Sequence, residues 1–269
     1  MALQKTEAVV LKTHNWSESS RTVELFSRDF GKIAIVDKGG RRLTSKRGRL
    51  MPFGRMEITF YKSEKSARGY VSEAELLQAF SFGQEGTVGR LAFASAAAEL
   101  LRNLLSEEEP HPHLYEYFLS YLKMAESVNK QALPALFLSF CLRVLSHLGY
   151  HPALETCAGC GSTLNSRQSG KGKFMFSPER GGVVCKACQS PGEYYIPLSQ
   201  KDVQLLATLQ CASLTEAAGR PIRYQDATRL IEALTALARY QTGAFTELKA
   251  LEFLAKLDNS RRINNTSSE

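Results

Sequence analysis

The sequence predicts an α+β protein of more than one domain, in which a small five-stranded β-barrel precedes a mostly α-helical domain with a four-cysteine insertion. Three observations carry this prediction. β-Branched and aromatic residues form short runs before residue 80, apolar residues recur at helical spacing after it, and two Cys-x2-Cys pairs interrupt the helical pattern. At 269 residues the chain also exceeds the usual length of one domain.

The first predicted domain, residues 1–80, consists of short strands. Apolar and polar side chains alternate within several runs, so that Ile33 and Ile35, for example, fall on one face. A tight turn over residues 28–31 joins the second run to the third as a hairpin. Strands this short need closure to hide their edges, which predicts a small barrel. The predicted strands are 7–13, 22–27, 32–37, 55–61 and 67–74.

The helical domain is predicted in two parts, 81–156 and 192–258, on either side of a cysteine module at 157–191. Apolar residues recur every three or four positions in both parts, which indicates helices that bury one face. The last residues, 259–269, are predicted to be a disordered tail. The predicted helices are 87–105, 113–127, 133–148, 199–211, 224–242 and 247–257.

The cysteine module contains two Cys-x2-Cys turns, Cys157 with Cys160 and Cys185 with Cys188, separated by 24 residues. Each such turn presents two sulfurs to one ion, and Zn²⁺ takes four thiolates in a tetrahedron. Four cysteine ligands leave no open coordination position, so the sequence predicts one structural Zn²⁺ rather than a catalytic one. A redox dithiol is the main alternative interpretation.

The remaining cysteines and the interior of the module complete this interpretation. Residues 173–177 and 182–185 are predicted to form a hairpin inside the module, because 178–181 contains turn-forming residues. Cys141 and Cys211 lie on apolar helical faces and are predicted to be inert, packed side chains.

Positive charge is concentrated in the predicted barrel. The net charge is +7; residues 1–80 hold 15 Lys/Arg against 9 Asp/Glu, whereas the rest holds 19 against 18. Ten of these cations lie between Lys38 and Arg68, where they would bind phosphate oxygens, while Tyr61 and Tyr70 could stack on unpaired bases. A solvated cationic face is the alternative, and Trp16 either stacks or plugs a barrel end. The candidate nucleic-acid contacts are Lys38, Arg41, Arg42, Lys46, Arg47, Arg49 and Arg55.

Several classes of function lack their sequence signature. The three Gly-Lys pairs have Phe26, Asn165 and Arg167 where a nucleotide-binding loop needs glycine. Esterase, zinc-protease and dinucleotide-binding motifs are missing, so no catalytic residue is predicted. His111 and His113 beside three glutamates are better explained as a solvated helix end than as a metal site. Without a signal peptide or an 18-residue apolar run, the chain is expected in the cytoplasm, associated with the nucleoid.

Taken in their order along the chain, these features resemble the bacterial RecO family of recombination mediators. The resemblance covers about residues 3–255, nearly the full length, and implies an OB-fold followed by a helical domain with an embedded zinc module. The motifs that carry it are Lys38-Gly-Gly-Arg-Arg42, Lys46-Arg-Gly-Arg49, Pro52-Phe53-Gly54, His147-Leu-Gly-Tyr150 and the two cysteine pairs.

The resemblance implies a function and its partners. RecO-like proteins bind single- and double-stranded DNA, anneal complementary strands and act with RecR to help RecA displace single-strand binding protein (SSB). In the family the helical domain receives the acidic, apolar C-terminal tail of SSB. Contributors here would be Leu136, Phe140, Arg143 and Val144, although core packing is the stronger interpretation of the apolar three. Because some members lack the cysteines, zinc should support folding rather than DNA binding.

Two other classes remain as alternatives. A zinc-ribbon factor that binds RNA or polymerase would share the cysteine pairs and the positive charge. A zinc-stabilised deacylase or nuclease would share the cysteine pairs, but the sequence lacks a cofactor loop and an acidic metal cluster.

Overall fold

A computed structural model describes residues 2–15, 17–40, 50–62, 69–82, 88–164, 173–243 and 247–266. The chain divides into two compact units, Met1–Glu126 and Ser127–Glu269. No helix within the described ranges combines the length and apolar character needed to cross a bilayer. The predicted α+β class is confirmed, with a closed β-barrel in the first unit and mostly helices in the second.

The first unit begins with an OB-like barrel in which the strands follow the order β1-β2-β3-β5-β4. β1 pairs antiparallel with both β2 and β4, and the barrel closes where β3 and β5 pair in parallel. All five predicted strands exist, and β1 and β5 are longer than their sequence patterns indicated. The strands are β1 Ala2–Asn15, β2 Arg21–Ser27, β3 Gly31–Asp37, β4 Gly54–Lys62 and β5 Gly69–Ala79.

The predicted hairpin between β2 and β3 is confirmed, and its turn ends at Gly31, opposite Ser27. The Ser27 hydroxyl donates to the Gly31 carbonyl over 2.9 Å. Gly31 has a φ of 65°, and a Cβ at this position would lie 1.9 Å from the carbonyl oxygen of Glu109. Only glycine fits this backbone conformation and this close approach.

Alternation along the strands fills the barrel interior. Buried β-strand residues such as Val23, Leu25, Ile33 and Ile35 meet the buried residues of β1, β4 and β5 in one cluster. A register shift between Val10 and Lys12 lets β1 bend around this cluster. The alternation predicted from sequence therefore corresponds to the inside and outside of the barrel.

Two helices, α1 (Val88–Leu104) and α2 (Pro112–Ser127), follow the barrel. Phe26 of β2 contacts the rings of Tyr115 and Phe118 on α2, with centroids 5.8 Å and 6.4 Å apart. Arg102 of α1 donates to the carboxylate of Glu24 on β2. These contacts attach both helices to the barrel within the compact unit Met1–Glu126.

The second unit is organised around α3 (Leu133–His147), whose residues are almost all buried. Four helices follow the cysteine module: α4 Gln200–Cys211, α5 Leu214–Ala218, α6 Tyr224–Thr242 and α7 Lys249–Thr266. The short α5 was not predicted, because five residues are too few to show a helical period. α7 continues into the predicted disordered tail because no Pro or Gly between 249 and 266 ends it.

The cysteine module carries a small sheet of order β7-β6-β8. β6 (Lys173–Ser177) and β7 (Gly182–Val184) form the predicted hairpin. β8 (Ile196–Ser199) pairs with the other edge of β6 and was not predicted, because its four residues include a proline. Ser199 then caps α4 in a reciprocal arrangement with Asp202, so the sheet leads directly into the helix.

Candidate metal centre and nucleic-acid surface

The four module cysteines come together at one point. The Sγ atoms of Cys157, Cys160, Cys185 and Cys188 all lie within 4.8 Å of one another, and those of Cys160 and Cys185 are 3.9 Å apart. Thiolates around Zn²⁺ at about 2.3 Å in a tetrahedron are separated by about 3.8 Å. The donor set and its spacing therefore fit a tetrahedral thiolate-bound metal ion. Elsewhere in the described ranges no group of three or more His, Cys, Asp or Glu is placed to hold one.

Backbone N–H groups prepare Cys157 to carry negative charge. The amide of Gly159 lies 3.3 Å from its Sγ and the amide of Cys185 lies 3.2 Å from it. Burial opposes ionisation of Cys157, but these amides and that of Cys160 lower the pKa of its thiol to about 6. Such backbone donors stabilise a metal-bound thiolate in the same way.

The other thiols differ in their readiness to ionise. The Ser162 hydroxyl, 3.0 Å from the Sγ of Cys160, lowers the pKa of Cys160. Hydrogen bonds that the Cys188 thiol makes to the sulfurs of Cys185 and then Cys160 raise its pKa to about 12, because they stabilise the protonated thiol. A metal ion that binds here must therefore displace protons, which makes its affinity depend on pH.

An ion pair supports the module beside the cysteines. The guanidinium of Arg180 donates to the carboxylate of Glu193 over 2.9–3.2 Å, and the hydroxyls of Ser177 and Tyr195 donate to the same carboxylate. The Ser177 hydrogen bond is the main cause of the lowered pKa of Glu193. Arg180 also lies close to Gly159, where a Cβ would meet its guanidinium at 3.1 Å. This network joins the β6–β7 turn to the first cysteine pair.

The two cysteines outside the module differ from each other. Cys141 on α3 is buried, as predicted, and burial raises the pKa of its thiol. Cys211 was predicted to be packed but is exposed, because it is the last residue of α4 and the helix face there has turned towards solvent.

Two of the predicted DNA-binding cations, Lys38 and Arg55, are described. The Nζ of Lys38 lies 4.2 Å from the centroid of the Tyr70 ring. Arg55 donates through Nε to the Glu7 carboxylate over 2.9 Å and faces Tyr115, so it links β4 to β1 and α2. Its contact with DNA stays a prediction. Outside the described residues lie Arg41, Arg42, Lys46, Arg47 and Arg49, together with Trp16.

The barrel also presents exposed apolar side chains that the sequence only partly indicated. Tyr61 and Tyr70 are exposed, as expected, and they are register partners on β4 and β5. Leu3 of β1 is the register partner of Tyr61 and is exposed as well. The exposure of Leu3 beside Tyr61 was not predicted, because cross-strand register cannot be read from one strand.

Of the four residues on α3 that were candidates for binding the SSB tail, three are buried and one is exposed. Leu136, Phe140 and Val144 have no exposed surface, so core packing is the correct interpretation of these three. A bound peptide could not reach them without unfolding the helix from its neighbours. Arg143 lies on the exposed face of the same helix.

Comparison with known proteins gives a consistent result over both units. The family model described as "Recombination protein O N terminal" matches residues 1–80, and the model described as "Recombination protein O C terminal" matches residues 86–252. A protein named DNA repair protein RecO from Anaeromyxobacter sp. (strain K) is 30% identical over 256 residues, which cover 94% of this chain and 96% of that protein.

A second relative agrees. A protein of the same name from Listeria monocytogenes serotype 4b (strain CLIP80459) is 27% identical over 258 residues, or 95% of each chain. Together the two family models match most of the chain. The matched residues include the OB-like barrel, the helical unit and the cysteine cluster. This chain belongs to the RecO family of DNA repair proteins.

Proposed function

We propose that this protein is a non-catalytic recombination mediator that binds single- and double-stranded DNA and anneals complementary strands. The observation that carries the proposal is the OB-like barrel in the segment that holds nearly all of the excess positive charge. Small barrels of this kind bind single strands through cationic grooves and exposed aromatic side chains. Annealing needs no nucleotide hydrolysis, which agrees with a sequence that lacks a nucleotide-binding loop.

The bound metal is proposed to be one structural Zn²⁺. Four thiolate donors at tetrahedral spacing favour zinc over magnesium or calcium, which prefer oxygen ligands. The module is too small to bury a large apolar core, so metal binding would contribute directly to its folding. The cysteines lie in a different unit from the barrel, which supports a structural role for the ion.

Three protein partners belong to the proposal. RecR would act with this protein to help RecA displace SSB from single-stranded DNA. The C-terminal tail of SSB is acidic and apolar and would need a cationic side chain beside an accessible apolar surface. Arg143 offers the cation, whereas the apolar contacts must come from residues other than the three buried neighbours on α3. These activities would take place on chromosomal DNA in the cytoplasm.

The test is strand annealing on DNA coated with SSB. Two complementary labelled strands are coated with SSB, and duplex formation is followed with this protein, with RecR, and with both. We expect annealing well above the rate of coated DNA alone. The absence of acceleration by a folded, zinc-loaded protein would contradict the proposal. A parallel binding assay with single-stranded RNA tests the alternative of an RNA-binding factor, which requires a strong RNA preference.

The triple variant Arg41→Ala/Arg42→Ala/Arg49→Ala tests the basic segment. Loss of three phosphate contacts should weaken DNA binding and reduce the slope of log affinity against log salt by about 2. Three exposed cations of the second unit, Lys201, Arg220 and Lys249, provide a matched control when replaced by alanine. Equal salt slopes for wild type and the folded triple variant would rule out this segment as the phosphate-binding surface.

A further inference from the structure

An exposed apolar row crosses three adjacent strands of the barrel. Leu3 on β1 is the register partner of Tyr61 on β4, and Tyr61 is the register partner of Tyr70 on β5. Their exposed fractions are 57%, 42% and 39%. Side chains directly opposite each other on antiparallel strands have Cβ atoms about 4.5–5.5 Å apart. The three side chains therefore form one continuous surface on the outside of the barrel, which we call the tyrosine row.

A cation stands at one end of the tyrosine row. Lys38 follows β3, and β5 lies between β3 and β4 in the barrel. The Lys38 ammonium lies over the Tyr70 ring, 4.2 Å from its centroid. A cation over the ring orients it and also places a positive charge beside the apolar surface.

The neighbouring rows limit where an anionic ligand can lie. Moving along the strands, the next outward-facing partners are Lys5 with Thr59, and Thr59 with Glu73. The row after that contains three carboxylates, because Glu57 is the partner of both Glu7 and Glu75. Lys5 and Arg55 offset only part of this charge through their ion pairs with Glu57 and Glu7. A polyanion would be attracted to the tyrosine row and repelled from the carboxylates.

We propose that the tyrosine row stacks on unpaired bases of a single strand of nucleic acid while Lys38 neutralises an adjacent phosphate. This inference rests on the proposed function and specifies it, because it assigns the base contacts to named side chains of β1, β4 and β5. A nucleotide offers a planar apolar base and a negative charge, which matches aromatic rings beside an ammonium group. In a duplex the base faces are hidden within the stack, so the tyrosine row selects single strands.

The test uses the double variant Tyr61→Ala/Tyr70→Ala with three ligands: a labelled oligothymidine, an abasic strand of equal length, and a duplex. We expect the affinity for oligothymidine to fall by about 30-fold or more. The affinity for the duplex should change by less than about twofold, and the abasic strand should bind both proteins equally. The salt slope should not change, because no phosphate contact is removed.

Two further variants control for fold and for aromatic content. Tyr61→Phe/Tyr70→Phe keeps the rings and should bind oligothymidine like wild type. Tyr194 and Tyr240 are the matched exposed tyrosines of the second unit, and their joint replacement by alanine should leave affinity unchanged. Circular dichroism and thermal unfolding verify that each variant is folded. The affinity of Tyr61→Ala/Tyr70→Ala for an RNA strand of matched sequence should fall by the same factor, because stacking does not depend on the sugar.

Three outcomes overturn the inference. If the affinity for the abasic strand falls as much as the affinity for oligothymidine, the rings do not contact bases. An equal loss on the duplex means that the substitutions disturb the barrel or its phosphate contacts. Unchanged affinity for every ligand means that the tyrosine row serves another partner, such as a protein. In each case wild type still binds DNA, whereas failure of the proposed function would abolish binding by wild type itself.

Discussion

Replacing Gly31 with alanine tests how closely the β2–β3 turn is held against the segment after α1. A left-handed conformation costs alanine about 1–2 kcal/mol. A Cβ at this position would lie 1.9 Å from the Glu109 carbonyl oxygen, and the backbones must separate by about 1.5 Å to reach ordinary contact. That separation breaks the 2.9 Å hydrogen bond from the Glu108 amide to the Lys32 carbonyl. Overpacking of this kind adds about 1–3 kcal/mol.

We therefore expect Gly31→Ala to lower the free energy of unfolding of the first unit by about 3 kcal/mol. Gly243→Ala is the matched control, because its φ is 64° and no described atom lies within 4 Å of the added Cβ. The control should cost only about 1–2 kcal/mol.

The assay is urea-induced unfolding followed by two signals. Fluorescence of Trp16, the only tryptophan, reports on the first unit, and circular dichroism reports on both. If Gly31→Ala cost no more than Gly243→Ala, the close contact between the turn and Glu109 would not exist.

Three further predictions concern the metal, acid stability and a buried hydrogen bond. Elemental analysis should find about one zinc per wild-type chain, and Cys185→Ser should lose zinc and thermal stability; a stable metal-free wild type would contradict this. Burial opposes ionisation of Glu24, but Arg102 and then His14 lower its pKa. The stability it provides is therefore present above about pH 4.3 and is lost in acid. Urea titrations of Glu24→Gln should show lower stability at neutral pH and a smaller change between about pH 5 and 3. Tyr121→Phe removes the 3.0 Å hydrogen bond to the Phe93 carbonyl and should cost about 1 kcal/mol in denaturant titrations, whereas no loss would mean that water replaces the hydroxyl.

Patterns that are local in sequence predicted their structures well. Each barrel strand and each long helix shows its period within a short stretch of sequence. The hairpin at Gly31 likewise has its turn residues next to one another. The four cysteines were predicted to meet because a Cys-x2-Cys turn fixes two ligands and zinc chemistry requires two such turns. The proximity of their sulfurs is confirmed.

Features that depend on register or on long-range partners were not predictable. Arg55 looked like one more cation of the basic segment, but strand pairing places it beside Glu7, 48 residues earlier. Leu3 became part of the tyrosine row only through its alignment with Tyr61. Cys211 has the apolar neighbours of a packed residue, yet its exposure depends on where α4 ends. Each outcome is decided by tertiary contacts that the pattern of one segment does not contain.

The pairing of β1 has a consequence for synthesis of the chain. One edge of β1 is completed by β2 soon after both strands are made, but its other edge must wait for β4, which ends at Lys62. At about 5–20 residues per second, the ribosome needs a few seconds to extend the chain from Asn15 to Lys62. Throughout that time a long strand offers an open edge to other nascent chains. The two edges of β1 are therefore completed at different times, the first by its neighbour β2 and the second only when β4 has been made.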